Sequence, residues 1–365
     1  MEALVNRGWA GRRVLVTGHT GFKGSWLSLW LASMGAEVTG LALPAPTEPS
    51  LFAATRLEER LRHVEGDIRD CAVVTAAVER ARPEVIFHLA AQPLVRLSYL
   101  EPVETYATNV MGTVHVLEAA RRVGGVRGIV CVTSDKCYEN REWDWPYRES
   151  DPMGGHDPYS SSKGCAELVA AAWRNSFFAG DDAPLLATVR AGNVIGGGDW
   201  ASDRLVPDLV RAFEAGVAPL IRAPDAVRPW QHVLEALGGY LKIAERLLSG
   251  ERRFADGWNF GPSDEDARPV RWIVDRMCAV WRDGAAAPSI DDGPRPHEAG
   301  LLRLDSSRAR TALGWRPALT LGDTIDWIVD WHKAVATGED AREVTLGQIA
   351  HYAALSEGGR ASVAA

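Results

Sequence analysis

The sequence contains no long apolar run. No window of its 365 residues reaches the run of ~18 consecutive apolar residues that a membrane-spanning helix needs. Its first residues, MEALVNRGWAGRR, lack the apolar stretch of a secretory signal peptide. We therefore expect a cytoplasmic protein that has no membrane partner.

The sequence also lacks paired cysteines and an excess of positive charge. The five cysteines are scattered, odd in number and without the CxxC spacing of a zinc site, so we interpret them as reduced structural residues and predict no metal site. The formal net charge of -8 argues against a basic surface that binds nucleic acid. An anionic ligand must therefore be held by local positive groups, and no nucleic-acid partner is expected.

The first half of the chain alternates short β-branched runs with helical patterns, which is typical of βαβ units. Candidate strands are residues 13–17, 37–43, 62–65, 85–89, 129–133 and 187–190. Beyond them, helical patterns lie near residues 205–215, 232–248, 270–281 and 321–331. We predict an α/β protein with a Rossmann-type, doubly wound parallel sheet over residues 1–190, rejoined by about 232–260. A smaller α/β substrate-binding domain over 191–350 and a disordered tail over 356–365 complete the prediction.

A glycine-rich turn follows the first candidate strand. Gly18, Gly21 and Gly24 stand between that strand and an apolar helical stretch that includes Trp26. Glycines at these positions let the backbone approach a pyrophosphate, whose charge meets the N–H groups at the helix N-terminus. The turn therefore predicts a dinucleotide-binding site.

The ends of the next strands bear on which dinucleotide binds. The second strand ends near Leu43 without the acidic residue that grips ribose hydroxyls and without an arginine, so NAD is favoured, although Lys23 could hold the 2′-phosphate of NADP. Asp67 and Ile68 are placed to meet the adenine ring, although Asp67 could equally be a turn residue. The residues predicted to contact the cofactor are Gly18, Thr20, Gly21, Phe22, Lys23, Gly24, Asp67, Ile68, Leu89, Ala90, Ala91, Asn109, Tyr159 and Lys163.

Tyr159 and Lys163 have the i, i+4 spacing that places two side chains on one face of a helix. A nearby cation favours the phenolate, so Lys163 should lower the pKa of Tyr159 from its ordinary value of ~10. Ser134, at the end of the fifth candidate strand, can hydrogen-bond the same substrate oxygen. These three residues predict oxidation of an alcohol, with hydride passing to a nicotinamide.

Asp135 and Lys136 follow Ser134 directly. A plain dehydrogenase or epimerase does not need two more ionisable groups here, whereas elimination of water does. Once C4 of a sugar is a ketone, a base can remove the C5 proton and an acid can protonate the departing C6 hydroxyl. The stored hydride would then return to C6. The alternative is that both residues form an exposed turn.

Seven stretches of the sequence together carry a family resemblance. They are TGHTGFKGSWLSLWL, TSDKCYEN, YSSSKGCAE, RAGNVIGGGDW, DRLVPDLVRA, RPWQHVLE and WNFGP. Over nearly its whole length the chain resembles the extended short-chain dehydrogenase/reductase family, and within it the nucleotide-sugar 4,6-dehydratases that act on CDP-glucose. The resemblance implies two domains, tightly held NAD, at least a homodimer, and formation of CDP-4-keto-6-deoxyglucose for bacterial deoxysugars.

The resemblance also implies roles for individual residues. Tyr159 would be the base for oxidation, Lys163 its electrostatic partner and Asp135 the acid at C6. Lys136 takes the place of the C5 base, for which it must lose its proton; otherwise it stays charged and stabilises the enolate. The residues predicted to bind the substrate are Gln92, Ser134, Asn193, Arg204, Leu205, Arg228, Asn259 and Arg295.

Several alternatives stay open at this point. A diphosphate clamp cannot tell cytidine from thymidine or guanosine, so a dehydratase of dTDP-glucose or GDP-mannose remains possible. A nucleotide-sugar 4-epimerase shares Ser134, Tyr159 and Lys163 but has no use for Asp135 and Lys136. A non-catalytic NAD sensor would usually have lost the tyrosine or the lysine of the pair, and both are present here.

Overall fold

The fold is described from a computed structural model that covers residues 8–282, 287–291, 293 and 300–361. The strands are β1 (Arg13–Thr17), β2 (Glu37–Ala42), β3 (Arg62–Glu65), β4 (Val85–His88), β5 (Gly128–Val132), β6 (Leu185–Ala191), β7 (Asn193–Ile195), β8 (Leu220–Ile221), β9 (Val227–His232), β10 (Gly257–Phe260), β11 (Ala267–Pro269) and β12 (Ser289–Ile290).

The helices alternate with the strands through the first half of the chain. They are α1 (Phe22–Ser33), α2 (Leu51–Ala54), α3 (Cys71–Ala81), α4 (Val95–Leu100), α5 (Pro102–Tyr106), α6 (Gly112–Val123), α7 (Pro158–Ser176), α8 (Leu205–Glu214), α9 (Val233–Leu248), α10 (Val270–Trp281), α11 (Ser307–Ala312), α12 (Leu321–Ala336) and α13 (Ala341–Ala361). A π-helical turn, Ala107–Met111, joins α5 to α6.

The main sheet has seven strands in the order β10-β6-β5-β4-β1-β2-β3. Every pairing in it is parallel. The order 3-2-1-4-5-6 is that of a Rossmann fold, in which ligands bind beyond the carboxyl ends of the strands where the order reverses. The predicted fold class is confirmed, and the reversal lies between β1 and β4.

The two faces of this sheet are covered by separate hydrophobic clusters, because successive side chains of a strand point to opposite faces. Val14 and Val16 of β1 belong to one cluster, which includes residues of α1 and α9. Leu15, between them, belongs to the other, which includes residues of α3 and α6. Both faces are therefore dry, as a parallel sheet requires.

A second layer follows β6. Strands β7, β9 and β11 form a three-stranded sheet, and residues of α8, α10 and α12 form a third cluster around Leu209, Met277 and Ile325. After β9 the chain returns to the main sheet through α9 and β10. The cleft between the two layers lies at the carboxyl ends of β1, β4 and β5.

The end of the chain differs from the sequence-based expectation. Helix α13 continues to Ala361, so it includes residues 356–361 of the segment predicted to be disordered, and residues 362–365 lie outside the described residues. Its docking explains the difference, since Ile349 and Tyr352 are buried in the main core. Among the described residues, no helix has both the length and the apolar character to cross a membrane.

Candidate active site

The glycine turn between β1 and α1 is tightly packed. Gly18 has φ of +78°, and a Cβ there would lie 2.7 Å from the backbone nitrogen of Ala90. A Cβ on Gly24 would overlap the carbonyl oxygen of Gly18. Gly21, the N-cap of α1, offers no side-chain hydrogen bond, and the first turn carries no acidic residue. Its N–H groups are therefore suited to receive an anion.

Residues predicted near the adenosine are held by the protein itself. The Thr20 hydroxyl donates to the carbonyl of Leu43, at the end of β2. The Asp67 carboxylate accepts from Arg69, which holds the pKa of Asp67 below its ordinary value. Ile68 is buried, and a Cβ on Gly112 would overlap it. Thr20 and Asp67 thus shape this end of the cleft, and Asp67 is partly engaged by its neighbour.

Lys23 of the glycine turn points toward the catalytic side of the cleft. Its ammonium group donates to the Tyr240 hydroxyl on α9 at 3.2 Å. Burial, Lys163 and Arg204 lower the pKa of Lys23 to about 7, and Asp135 opposes them. Because the Lys23 side chain points toward Tyr240, it does not fit the alternative in which it holds the 2′-phosphate of NADP.

The segment after β4 faces the glycine turn. The Leu89 amide donates to the carbonyl of Thr17, and Ala90 packs on Gly18. The Gln92 side chain donates to Leu94 and Thr105, so the structure does not direct it into the cleft. The remaining predicted cofactor contacts in this part of the fold are Phe22, which is partly buried against the main core, and Ala91, beside Ala90 in the chain.

Helix α7 carries Tyr159 and Lys163 and has a clear start signal. Asp157 caps it by accepting from the amide of Ser160, and Pro158 occupies the first helical position. The Lys163 ammonium group donates to the carbonyl of Val132, the last residue of β5. This hydrogen bond therefore joins α7 to the end of β5, close to Ser134.

The structure brings Ser134 and Tyr159 together. Burial raises the pKa of Tyr159 to about 12 and outweighs the hydrogen bond between Tyr159 and Ser134, which lowers that pKa. The expectation that Lys163 lowers the pKa of Tyr159 is therefore not met in this geometry. Burial dominates because the phenol is only 8% exposed.

Asp135 is a buried acid at the floor of the cleft. One carboxylate oxygen accepts from the Ser134 hydroxyl at 3.0 Å, and the other is buried without a hydrogen-bond partner among the described residues. Burial raises the pKa of Asp135, while Lys136, Ser134 and Arg228 oppose it. A carboxyl group with a raised pKa is suited to donate a proton. Lys136 is half-buried beside it, so the exposed-turn alternative does not hold.

Arg204 and Arg228 enter the cleft from the second layer. Arg204, the N-cap of α8, pairs with the buried carboxylate of Asp199 at 2.9 Å and acts on the pKa of both Lys23 and Tyr159. Arg228, on β9, donates to the carbonyls of Val227 and Gly300 and lowers the pKa of Asp135. The two guanidinium groups therefore act electrostatically on Lys23, Tyr159 and Asp135.

The other predicted substrate contacts divide into two groups. Asn193 on β7 and Leu205 at the start of α8 are partly exposed beside the cleft. Asn259 is fully buried, and its amide is bonded to Tyr138, Tyr147 and Asp305. The structure thus gives Asn259 an internal position. Arg295 lies outside the described residues.

Sequence reasoning missed Tyr240 and Asp199. Asp199 lies inside the GGGDW stretch, and an acidic residue next to three glycines could have been recognised as a candidate site residue. Tyr240 lies within the apolar pattern of α9, which gives no indication that its hydroxyl reaches Lys23. The described residues contain no group of three or more His, Cys, Asp or Glu side chains arranged for a metal ion.

Comparison with known proteins agrees with this arrangement. The family model described as GDP-mannose 4,6 dehydratase matches residues 15–327. A CDP-glucose 4,6-dehydratase of Salmonella typhimurium is 56% identical over 348 residues, covering 94% of this chain and 97% of the relative. A UDP-glucose 4-epimerase of Mycolicibacterium smegmatis is 29% identical over 331 residues, covering 88% and 98%.

A solved structure adds a likeness of fold. A double mutant of dTDP-glucose 4,6-dehydratase from Streptomyces venezuelae, solved with NAD, has a TM-score of 0.76 to this chain at 23% identity, covering 90% of this chain and 98% of the other. The family expected from the sequence is therefore confirmed. The chain belongs to the nucleotide-sugar 4,6-dehydratase family, within the extended short-chain dehydrogenases/reductases.

Proposed function

We propose that this protein dehydrates CDP-D-glucose to CDP-4-dehydro-6-deoxy-D-glucose with recycled NAD. The observation that carries the proposal is the buried Asp135, beside Ser134 and Tyr159. Its pKa is raised, and one of its carboxylate oxygens has no hydrogen-bond partner among the described residues. An epimerase needs no such acid. The choice of cytidine is supported by the 56% identity to the Salmonella enzyme.

NAD fits the residues of the glycine turn. Gly18 and Gly24 leave no room for a Cβ, and the uncapped first turn of α1 suits a pyrophosphate. The end of β2 offers no arginine for a 2′-phosphate. When bound, NAD would take the hydride from C4 of the sugar and return it at C6. The cofactor would then show no net redox change per turnover.

Tyr159 would remove the proton of the C4 hydroxyl, with Ser134 holding the same oxygen. The pKa of Tyr159, raised by burial, must fall for this step, and Arg204 already lowers it. Lys163 lies on the same helix face, one turn further along α7. A bound cofactor with a positively charged nicotinamide would favour the phenolate further.

Elimination would use the next two residues of the chain. Asp135, protonated, would donate to the departing C6 hydroxyl. Lys136 would remove the C5 proton or, if it keeps its charge, stabilise the enolate. Asn193, Arg204, Arg228 and Arg295 would bind the nucleotide diphosphate, for which arginine offers a planar, bidentate fork. Leu205 would make an apolar contact with the substrate. Asn259, which is buried, would support the substrate-binding residues from inside the protein.

A direct assay tests the proposal. Purified protein incubated with CDP-glucose should give a 4-keto-6-deoxy product with its alkaline absorbance, and recovery of CDP-galactose instead would indicate an epimerase. Thermal shifts with CDP, dTDP, GDP and UDP should be largest for CDP. Equal or better stabilisation by dTDP would overturn the choice of base.

We also propose a cytoplasmic homodimer that serves bacterial deoxysugar synthesis, such as that of the lipopolysaccharide O-antigen. The five cysteines are free thiols, as is usual in a reducing compartment. Helices α4, α5 and α7 expose Leu100, Val103 and Leu168, which are 79%, 77% and 62% exposed. Large apolar side chains grouped on adjacent helices favour a self-complementary contact.

A further inference from the structure

A buried chain of hydrogen bonds runs from β1 through His88, the last residue of β4, to helix α6. The Thr17 hydroxyl is 2.7 Å from Nδ1 of His88, and Nε2 of the same ring is 3.1 Å from the Thr113 hydroxyl on α6. All three side chains are at most 3% exposed. No step of the proposed reaction uses this ring, so its bonds call for another explanation.

The neighbouring bonds fix where the protons are. The Thr113 hydroxyl donates to the carbonyl of Asn109 at 2.7 Å, so its oxygen must accept from His88, and Nε2 carries the proton. Nδ1 then accepts from the Thr17 hydroxyl, whose oxygen accepts from the Ala90 amide. Burial and the nearby Lys163 lower the pKa of His88 to about 3, so the ring remains neutral. The hydrogen bonds therefore all point the same way, from the Ala90 amide through Thr17, His88 and Thr113 to the carbonyl of Asn109.

The far end of the chain reaches the catalytic helix. Asn109 lies in the π-helical turn, a rare conformation that is frequent at functional sites. Its side-chain amide donates to the hydroxyl of Ser162 on α7 and to the carbonyl of Gln92, and its oxygen accepts from the Gln92 amide. Ser162 in turn donates to the carbonyl of Tyr159. Asn109 thus ties the segment after β4 to α7.

We propose that His88 and Thr113 are positioning residues for this reaction. They fix the π-helical turn so that Asn109 holds two parts of the cleft in register: residues 89–92, which pack on the glycine turn, and the helix turn that carries Tyr159. The inference rests on the proposed function for its kinetic test. Misplacement of reacting groups by about 1 Å can cost on the order of 100-fold in rate, so a loosened turn should be visible in kcat.

Three variants test the proposal in the NAD-loaded enzyme. Thr113→Val removes the hydroxyl but keeps the side-chain shape, and it should lower kcat by about 10-fold or more with the KM for CDP-glucose within about twofold. Thr113→Ser restores the hydroxyl and should recover most of kcat. Thr75→Val removes the same kind of bond, to the carbonyl of Cys71 in α3, and should change neither constant. An unchanged kcat, or a change in KM alone, for Thr113→Val would overturn the proposal.

A second measurement needs neither substrate nor variant. With ¹⁵N-labelled histidine, the His88 ring should show a proton on Nε2 and none on Nδ1, and remain neutral through the pH range in which the enzyme is folded. The reverse tautomer would refute the assigned chain even if Thr113→Val is too unstable to assay. Wild-type protein that fails to dehydrate CDP-glucose would refute the proposed function, and the ring protonation would still decide the hydrogen-bond chain.

Discussion

At the scale of single residues, burial sets the chemistry of the cleft. Desolvation penalises whichever form of a group is charged, so it raises the pKa of Asp135 and Tyr159 and lowers that of Lys23. Asp135 is also close enough to raise the pKa of both Lys23 and Tyr159. Asp135 is consequently better suited to give a proton than to take one.

The acid role predicts a specific arrest. Asp135→Asn removes the transferable proton but keeps size and polarity, so the variant should oxidise C4 and stop at the 4-keto stage. Reduced nicotinamide should accumulate on the protein after CDP-glucose is added, with turnover at least about 100-fold lower. Asp144→Asn, on the exposed loop that follows, is the control. Normal turnover in Asp135→Asn would exclude the acid role.

The neighbouring lysine predicts a different arrest. Lys136→Met keeps the length of the side chain without its amine, so bound NAD should still be reduced by CDP-glucose. Exchange of the C5 hydrogen with solvent, followed in D₂O by mass spectrometry or NMR, should stop. Exchange at the wild-type rate would remove Lys136 from the base role.

At the scale of elements, the glycine turn and α1 form one unit. The helix can start where it does because Gly24 has no Cβ to collide with Gly18, and that contact brings the helix against β1. Glycine is therefore required at position 24 for the packing of α1 on β1, as well as for binding the cofactor.

Substituting the two kinds of helical glycine separates these effects. Gly24→Ala forces the turn open and should abolish NAD retention, measured as cofactor released on denaturation of the purified protein. Gly347 is exposed in α13, and a Cβ added there would meet no atom of the described residues within 4 Å. Gly347→Ala should therefore raise stability by about 0.5–1 kcal/mol without affecting NAD. Retained NAD in Gly24→Ala would contradict the close packing.

Helix α9 and helix α13 meet at a buried carboxyl group. Glu235 accepts from the amides of Ala318 and Leu319 and from the Tyr352 hydroxyl. Its burial raises the pKa from 4.5 to about 7. Folded and unfolded chains are both protonated here at low pH, and between these two pKa values only the folded chain keeps the proton.

Stability from Glu235 should therefore fall as pH rises from about 4.5 to about 7 and then level off. Glutamine cannot ionise, so in Glu235→Gln the denaturant midpoint of unfolding should change less with pH across this range. Denaturant titrations at several pH values measure this. Glu343→Gln, exposed on α13, serves as the control and should leave the pH profile unchanged. A profile in Glu235→Gln that matches the wild type would refute the assignment.

At the scale of the whole molecule, an apolar surface is left on one side of the main sheet. Helix α5 packs against α7, and Val103 and Leu168 project outward from the pair. Burying such side chains contributes ~25 cal/mol per Å² of apolar area. Helix α7 also carries Tyr159, so this surface lies on the back of the catalytic helix.

Charge on this surface should separate the protomers. If the proposed dimer forms through this surface, Val103→Asp combined with Leu168→Glu should give monomers in analytical ultracentrifugation, and the wild type should sediment as a dimer or larger. Leu355→Asp, on the exposed side of α13, should leave the assembly intact. Monomeric wild-type protein would remove the basis for this prediction.

Local patterns in the sequence were enough to predict much of the protein. The fold class follows from the alternation of strands and helices, and the strand that ends at Thr17 has its predicted bounds. Spacing was also enough to predict that Tyr159 and Lys163 lie on one face of a helix, because a helix turn fixes where such neighbours point. The adjacency of Ser134, Asp135 and Lys136 was enough to predict that they lie together at a strand end.

Only the tertiary structure decided what each polar group faces. Asn259 turned inward and donates to the backbone carbonyl of Tyr147, which is far away in the sequence, because buried carbonyl groups need partners. Gln92 is held by Leu94 and Thr105. Lys23 reached Tyr240, 217 positions away in the chain, and burial reversed the expected shift of the pKa of Tyr159. The sequence by itself determined the turn, the helix face and the succession of strands and helices along the chain, since these depend on local geometry. Desolvation and long-range contacts depend on how the layers pack, and that was settled only by folding.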